Sequence, residues 1–240
     1  MASYGRQKRM HRSQADEHMC EDSGRLGIQP STLWPRVVKS VIDRLVACLV
    51  FGFTSPALLI VAFISLVTDG SPVLFQQTRV GRRQAPFRIW KFRTMRLHDL
   101  TVEAVGQVTG SHPLVTPWGR VLRRTKLDEL PQLLSVITGH MSLVGPRPTI
   151  PEQVSLYDEW ELRRLEVLPG LTGWAQVNGN ASLSWSERID LDVWYIDHWS
   201  IRLDLKILAM TLRTVLLGEA RDSRALKEAT VYAKCSRGSR

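Results

Sequence analysis

No charged side chain occurs between Leu45 and Thr68, and no other property of the chain narrows its fold as much. As a helix this stretch would run roughly 36 Å at 1.5 Å per residue, enough to cross a hydrocarbon core of about 30 Å. It is longer than a signal-peptide core and lies too far from the N-terminus to be one. Its interior holds Thr54-Ser55-Pro56, where the proline removes a helical hydrogen bond and crowds the carbonyl four residues back, so a kink is expected at Ser55 and Pro56. Arg36, Lys39 and Arg44 precede the stretch, and Arg79, Arg82 and Arg83 follow it. Cytoplasmic flanks are the basic ones, which puts both ends on the cytoplasmic face. A segment that enters the bilayer and returns satisfies both flanks; a kinked membrane-crossing helix is the alternative. At a bend, the Thr54 and Ser55 hydroxyls would have to satisfy the freed backbone.

The remainder suits one domain with appendages. In 240 residues the chain carries 32 lysines and arginines against 23 acidic residues, a net charge of +9, so its partner surface is negative. That leaves nucleic acid, anionic lipid and phosphorylated metabolites. Cys20, Cys48 and Cys235 lie far apart with no CxxC pair, which argues against a zinc site or a disulfide framework.

The expected organisation is a flexible polar extension over 1–33, a re-entrant membrane helix over 34–70, a cytoplasmic catalytic domain over 71–218 and a loose polar tail over 219–240. Val73 to Arg79 and Phe87 to Met95 alternate around Gly81 to Pro86 and read as a β-hairpin. Residues 97–115 read as an irregular loop, Leu130 to Thr138 as a short helix closed by Gly139, and Pro151 to Leu168 as a longer helix. Ile201 to Leu217 is apolar with interspersed charges and reads as an interfacial or core helix. The fold class is α+β: a membrane helix hairpin, a small β-hairpin and several amphipathic helices in one membrane-associated catalytic domain.

Asp128 and Glu129 stand side by side in Lys126-Leu127-Asp128-Glu129-Leu130-Pro131-Gln132. Proline is tolerated in a first helical turn, so a helix should begin close to Asp128. There the free amides, together with Arg123, Arg124 and Lys126, favour an ionised carboxylate. An ionised Asp128 suits a nucleophile, and Glu129 suits a magnesium ligand, a hard cation bound by carboxylate and substrate phosphate oxygens. On its own, such a dipeptide is more often a capping Asp followed by a solvated Glu. Two further features change the balance. Gly145-Pro146-Arg147-Pro148 holds one arginine between two prolines and presents its fork with little freedom, as a phosphate site requires. Lys91 and Arg93 lie two apart on the second strand, so they should share a face that could grip a diphosphate; a basic sheet edge or a membrane-contacting face is the competing reading.

Four blocks occur in order: Lys91-Phe92-Arg93-Thr94-Met95, Leu127 to Gln132, Met141-Ser142-Leu143-Val144-Gly145-Pro146-Arg147-Pro148, and Pro169-Gly170-Leu171-Thr172-Gly173-Trp174-Ala175-Gln176-Val177-Asn178-Gly179. With the Ser55-Pro56 pair upstream, the chain resembles the monotopic phosphoglycosyl transferases among the bacterial sugar transferases, over roughly residues 36–217. The resemblance implies a bend at Ser55-Pro56 and a nucleophilic Asp128. It also implies a magnesium-binding Glu129 and phosphate contacts from Arg93, Arg123 and Arg147, with Lys91 a weaker candidate. It further implies transfer of a sugar 1-phosphate from a nucleotide diphosphate sugar, by default a UDP-sugar, to polyprenyl (undecaprenyl) phosphate. UMP would leave, and an aspartyl-phosphosugar would form on the way, as the first membrane step of exopolysaccharide or O-antigen assembly at the inner membrane. The expected partners are donor, acceptor and membrane lipid, not nucleic acid, with self-association left open. His140 and Asn180 depart from the family, which often has an acidic residue and an arginine there. A non-catalytic basic membrane adaptor is the alternative; it leaves the Asp-Glu pair among arginines without a purpose.

Overall fold

A computed structural model describes residues 33–96 and 113–238, with side chains from Val37 onward. The polar extension expected up to residue 32, and most of the loop expected at 97–115, lie outside the described residues.

The chain is mixed helical with two small sheets. Helix α1 (Leu33–Asp69) is 37 residues long, about 55 Å at the standard rise. Its segment Val37–Asp69 has a mean hydropathy of 2.3 and is long and apolar enough to cross a membrane. The helix continues through Pro56 without a gap. Pro56 leaves the carbonyl of Gly52, four residues back, without its N–H partner. Ser55 Oγ donates to that carbonyl at 2.8 Å, and Thr54 Oγ1 donates to Val50 O at 2.8 Å. These are the hydroxyls expected to satisfy backbone groups freed at Pro56.

One stripe of α1 faces the domain. Asp43, Ala47, Leu58, Val61 and Ser65 are buried, at helical spacing, while Leu49, Phe53, Leu59, Phe63 and Val67 point away and are exposed. Polar clamps hold both ends of the helix. Near its start, Ser142 Oγ donates to Asp43 Oδ2 at 2.5 Å and Lys39 Nζ to Asp204 Oδ2 at 2.6 Å. Near its end, Trp118 Nε1 donates to Ser65 Oγ at 2.9 Å and Thr116 Oγ1 to Asp69 Oδ2 at 3.1 Å.

Strands β1 (Leu74–Val80) and β2 (Pro86–Phe92) form the expected antiparallel hairpin, in a register that pairs Gln77 with Ile89. Its tight connection places Arg83 and Gln84 at positive φ. Then come α2 (Pro117–Thr125), a 3-10 turn over Leu127–Gln132 and α3 (Leu133–Ile137), which ends at Gly139 with φ +82° as expected of a glycine terminator. Strand β3 (Ser142–Val144) pairs in parallel with β4 (Gly170–Thr172). Gly145 and Gly170 approach so closely that a Cβ on Gly170 would lie 2.1 Å from Gly145 N. This contact holds the Gly145-Pro146-Arg147 loop against the Pro169–Gly173 segment.

The helix expected over 151–168 is three short pieces: α4 (Pro151–Val154), α5 (Glu159–Leu162) and a 3-10 turn over Arg163–Glu166. Asp158 restarts the chain with a capping box that includes Glu161, and only Trp160, Arg164 and Leu165 of this stretch are buried. After α6 (Trp174–Val177), helix α7 (Trp185–Asp197) runs through the core, with Ile189, Leu191 and Val193 fully buried. Its Asp192 pairs with Arg164 at 2.7 Å in the interior. Helix α8 (Ile201–Leu217) is neither wholly core nor wholly free. Ile207 is buried, whereas Leu205, Leu212, Leu216 and Leu217 form a further exposed apolar face.

The tail expected to be loose is instead helix α9 (Ser223–Gly238). Ala225, Leu226, Ala229 and Ala233 are buried, and Tyr232 OH donates to Asp197 Oδ2 at 2.7 Å. Three alanines and one leucine at helical spacing read as a weak apolar stripe in sequence, which is why polarity dominated the expectation. Cys235 is disulfide-bonded while Cys48 is free; cysteine spacing carries no pairing information here. Leu226→Ala should cost about 2–5 kcal/mol and loosen α9, read as a lower melting temperature and faster proteolysis after Gly218.

Candidate active site

Thr116 caps α2 through a hydrogen bond from Gly119 N to its Oγ1 at 2.9 Å, with Pro117 at the first helical position. Gly119 lets α2 lie against the strand exit, since a Cβ there would sit 2.2 Å from Thr94 O. The helix ends at Lys126, in the left-handed conformation with φ 59°. That joint turns the chain into the 3-10 turn whose first residues include Asp128 and Glu129, with Pro131 where no amide is needed. The expected helix start near Asp128 is present, in the tighter 3-10 form.

Arg147 reaches Glu129 with both prongs. Nη2 lies 2.5 Å from Oε1 and donates to it, and Nη1 donates to Oε2 at 3.3 Å. Lys91 Nζ stands 3.9 Å from Glu129 Oε1. Arg123 comes from α2 and donates Nε to Thr94 Oγ1 at 2.8 Å. Asp128 is only 7 % exposed, and its Oδ1 is buried with no hydrogen-bond partner. Asp128, Glu129, Lys91, Arg123 and Arg147 therefore meet at one place.

Arg93 is bonded to the end of α1. It is buried, and its Nη2 donates to the carbonyls of Asp69 and Gly70 at 2.5 and 2.6 Å, closing the C-terminus of α1. Strand β2 ends at Phe92, so the alternation that would have put Lys91 and Arg93 on one face stops before Arg93. Ser55 and Pro56 belong to α1. The sequence reading also passed over Thr94, which orients Arg123, and Glu219, which accepts from Lys126 Nζ at 3.0 Å and from Asn180 Nδ2 at 2.6 Å. Thr94 carries no charge, and Glu219 falls in the tail expected to be loose, so the sequence offered no signal that either serves the site.

The two carboxyls are pushed in opposite directions. Burial acts first on Asp128, and the charge of Glu129 adds to it, so its pKa rises to about 6 against the opposing pull of Lys91, Arg123 and Arg147. Burial also penalises Glu129, but Arg147 and then Lys91 outweigh it and hold that carboxyl well below the usual carboxylate range. Burial lowers Lys91 despite Glu129, and Glu129 raises Arg147 despite burial. Asp128 is therefore still mostly ionised at neutral pH, with Lys91, Arg123 and Arg147 holding it there against burial and the charge of Glu129. It is an under-solvated carboxylate with a free oxygen, beside a second carboxylate whose charge is already matched.

Among the described residues no group of three or more His, Cys, Asp or Glu side chains forms a metal cage. Asp128 and Glu129 nevertheless fit magnesium, which commonly takes one or two protein carboxylates and draws its other ligands from substrate phosphates and water. The unpartnered Asp128 Oδ1 is the observation that favours this fit.

A family model described as bacterial sugar transferase matches residues 34–218. The chain belongs to that family. The chain is 43% identical over 183 residues to an uncharacterized sugar transferase, EpsL, of Bacillus subtilis, covering 76% of this chain and 89% of that one. It is 40% identical over 185 residues to the UDP-glucose:undecaprenyl-phosphate glucose-1-phosphate transferase of Escherichia coli, covering 74% of this chain but 40% of that longer protein. The exopolysaccharide production protein ExoY of Rhizobium meliloti is 34% identical over 195 residues and 86% covered.

The raised Asp128 pKa has a stability cost with a definite sign. The folded state holds this proton more tightly than the unfolded chain, so stability is full below about pH 4 and is lost as pH rises towards 6. Asp128→Asn should therefore stabilise the fold at pH 7.5 by up to about 3 kcal/mol, the equivalent of the two-unit shift. The gain should vanish near pH 4 in thermal melts of the two proteins.

Proposed function

We propose that this protein transfers a sugar 1-phosphate from a UDP-sugar to polyprenyl (undecaprenyl) phosphate and releases UMP, working at the cytoplasmic face of the inner membrane. The observation that carries the reading is the buried Asp128 with an unpartnered oxygen beside a Glu129 locked by Arg147. Relatives named for UDP-glucose and undecaprenyl phosphate support the substrate class. In the first step Asp128 attacks the sugar-bearing phosphorus, the bond to the bridging oxygen breaks, and UMP leaves with the electron pair. In the second, a phosphate oxygen of the lipid attacks the same phosphorus and the Asp128 carboxylate is released. Arg147, Lys91 and Arg123 supply positive charge for the diphosphate, and electrostatic stabilisation of this kind dominates phosphoryl-transfer catalysis. Magnesium, held by Glu129 with Asp128 beside it, would neutralise charge on the diphosphate when bound.

The membrane attachment is read as monotopic. What supports it is that the polar domain clamps α1 near both ends, at Lys39 and Asp43 and again at Ser65 and Asp69. A helix crossing the bilayer would hold those ends about 30 Å or more apart on opposite sides, where one hydrophilic domain could not grip both. A shallow, returning position lets the Leu49–Phe63 face and the exposed leucines of α8 enter lipid while Asp128 stays at headgroup height. The adaptor alternative gives the buried, unmatched Asp128 no reason to exist.

The reaction is tested by incubating the membrane-embedded protein with a panel of nucleotide sugars and polyprenyl phosphate. UMP release with ping-pong kinetics is expected, as is a phosphosugar adduct on Asp128 by peptide mass spectrometry. Asp128→Asn should abolish turnover, and normal turnover in that variant would remove the nucleophile. Glu129→Gln should weaken magnesium dependence; an unaltered titration would leave Glu129 only the task of holding Arg147. For topology, Val37→Cys and Ser71→Cys in a Cys48→Ser background should both react with an impermeant thiol reagent from the face bearing the domain. Labelling from opposite faces would establish a crossing helix instead.

A further inference from the structure

Residues 219–222 lie just past the matched family region, yet they join the turn around Asn180 to the Lys126 joint of the site. Glu219 Oε1 accepts from Lys126 Nζ at 3.0 Å and from Asn180 Nδ2 at 2.6 Å. Arg221 Nη1 donates to Ser182 O at 3.3 Å, and its Nη2 pairs with Glu187. Asp222 N donates to Asn178 O at 3.3 Å. One end of this strap holds the turn from Gly179 to Ser182, where Gly179 and Asn180 both have positive φ. Its other end holds Lys126, the left-handed joint between the helix of Arg123 and the turn of Asp128 and Glu129. A non-glycine residue at positive φ persists only where its surroundings fix it, and Glu219 and Arg188, whose Nη2 donates to Asn180 O at 2.8 Å, are what fix Asn180. Glu219 is also charged through the working pH range. Burial pushes it up, but the hydrogen bonds from Asn180 and Lys126 outweigh that, and its charge is felt at Arg147 across the site.

We propose that Glu219 is a positioning residue for the donor: it fastens the Gly179–Ser182 turn to Lys126, the joint that leads into Asp128 and Glu129. The proposal rests on the nucleotide-sugar reading for its kinetic consequence and on geometry alone for its structural one. Glu219 touches no reacting atom, so its loss should act on donor affinity and leave the chemical step largely alone. The phosphate-facing cations Lys91 and Arg147 stay where Glu129 holds them.

The test uses the full chain in membranes and a carboxylate exchange. Glu219→Ala should raise the donor KM about tenfold with kcat within about twofold of wild type, the signature of lost uniform binding. Asn180→Asp, which sets two carboxylates against each other, should do the same without altering Glu219. Asn180→Asp combined with Glu219→Gln restores an amide-to-carboxylate bond and a single charge for Lys126, and should return KM to within about threefold of wild type by non-additivity. Amide exchange at residues 179–183, measured without substrate, should speed about tenfold in both single variants and recover in the double one. Unchanged exchange and KM in Glu219→Ala, or no rescue in the double variant, overturns the strap. The exchange result needs no turnover, so altered exchange in a protein that releases UMP from no donor would keep the strap and overturn the proposed reaction instead.

Discussion

The two-pronged contact between Arg147 and Glu129 is the interaction on which the site depends. It joins the loop after β3 to the turn after α2, and it decides which of two neighbouring carboxyls carries an unmatched charge. Buried charges are tolerated when paired, and Glu129 is paired by Arg147 and Lys91. Asp128, one residue away, takes the consequence: it is buried beside a negative neighbour, and its Oδ1 has no partner. Stability is given up at that position, which is a familiar property of groups kept reactive. The prolines around Arg147 and the Gly145–Gly170 contact serve the same end by leaving the guanidinium few other places to go.

The membrane helix and the catalytic cluster are one mechanical unit. Arg93 closes the end of α1 at Asp69 and Gly70, two residues along the chain from the Lys91 that faces Glu129. Thr116 binds Asp69 and also caps α2, and α2 delivers Arg123 and the Lys126 joint. The height of the helix in the bilayer and the position of Asp128 are thereby fixed to each other by a short chain of hydrogen bonds. Under the proposed reaction, whose acceptor keeps its tail in lipid, that registration holds the site at the height of the acceptor phosphate.

How far the sequence could be read depended on whether a signal was local. The β-hairpin, the α3 stop at Gly139 and the meeting of Asp128 with Arg147 followed from alternation, from a left-handed glycine and from motif order. The helix expected over 151–168 broke up because the Asp158 capping box restarts it, a local signal that the apolar count outvoted. The tail was misread because alanine is a weak apolar marker until α7 supplies a surface for it. Lys91 and Arg93 were placed together by strand period, but the strand stops between them.

The sequence alone determined that a long uncharged helix with basic flanks precedes a transferase domain, and it named the residues that meet around Asp128, because apolar length, proline positions and ordered motifs are properties of the chain itself. Only the tertiary structure decided that Ser55 and Thr54 hydroxyls bond the carbonyls around Pro56, that Arg93 binds the end of α1, that Glu129 is matched by Arg147 while Asp128 Oδ1 has no partner, and that Glu219 reaches back to Lys126. Each of those outcomes turns on which charges and carbonyls lie within a few ångströms, most of them across long sequence separations, and on how much water is left between them. Neither quantity is written in the order of the residues.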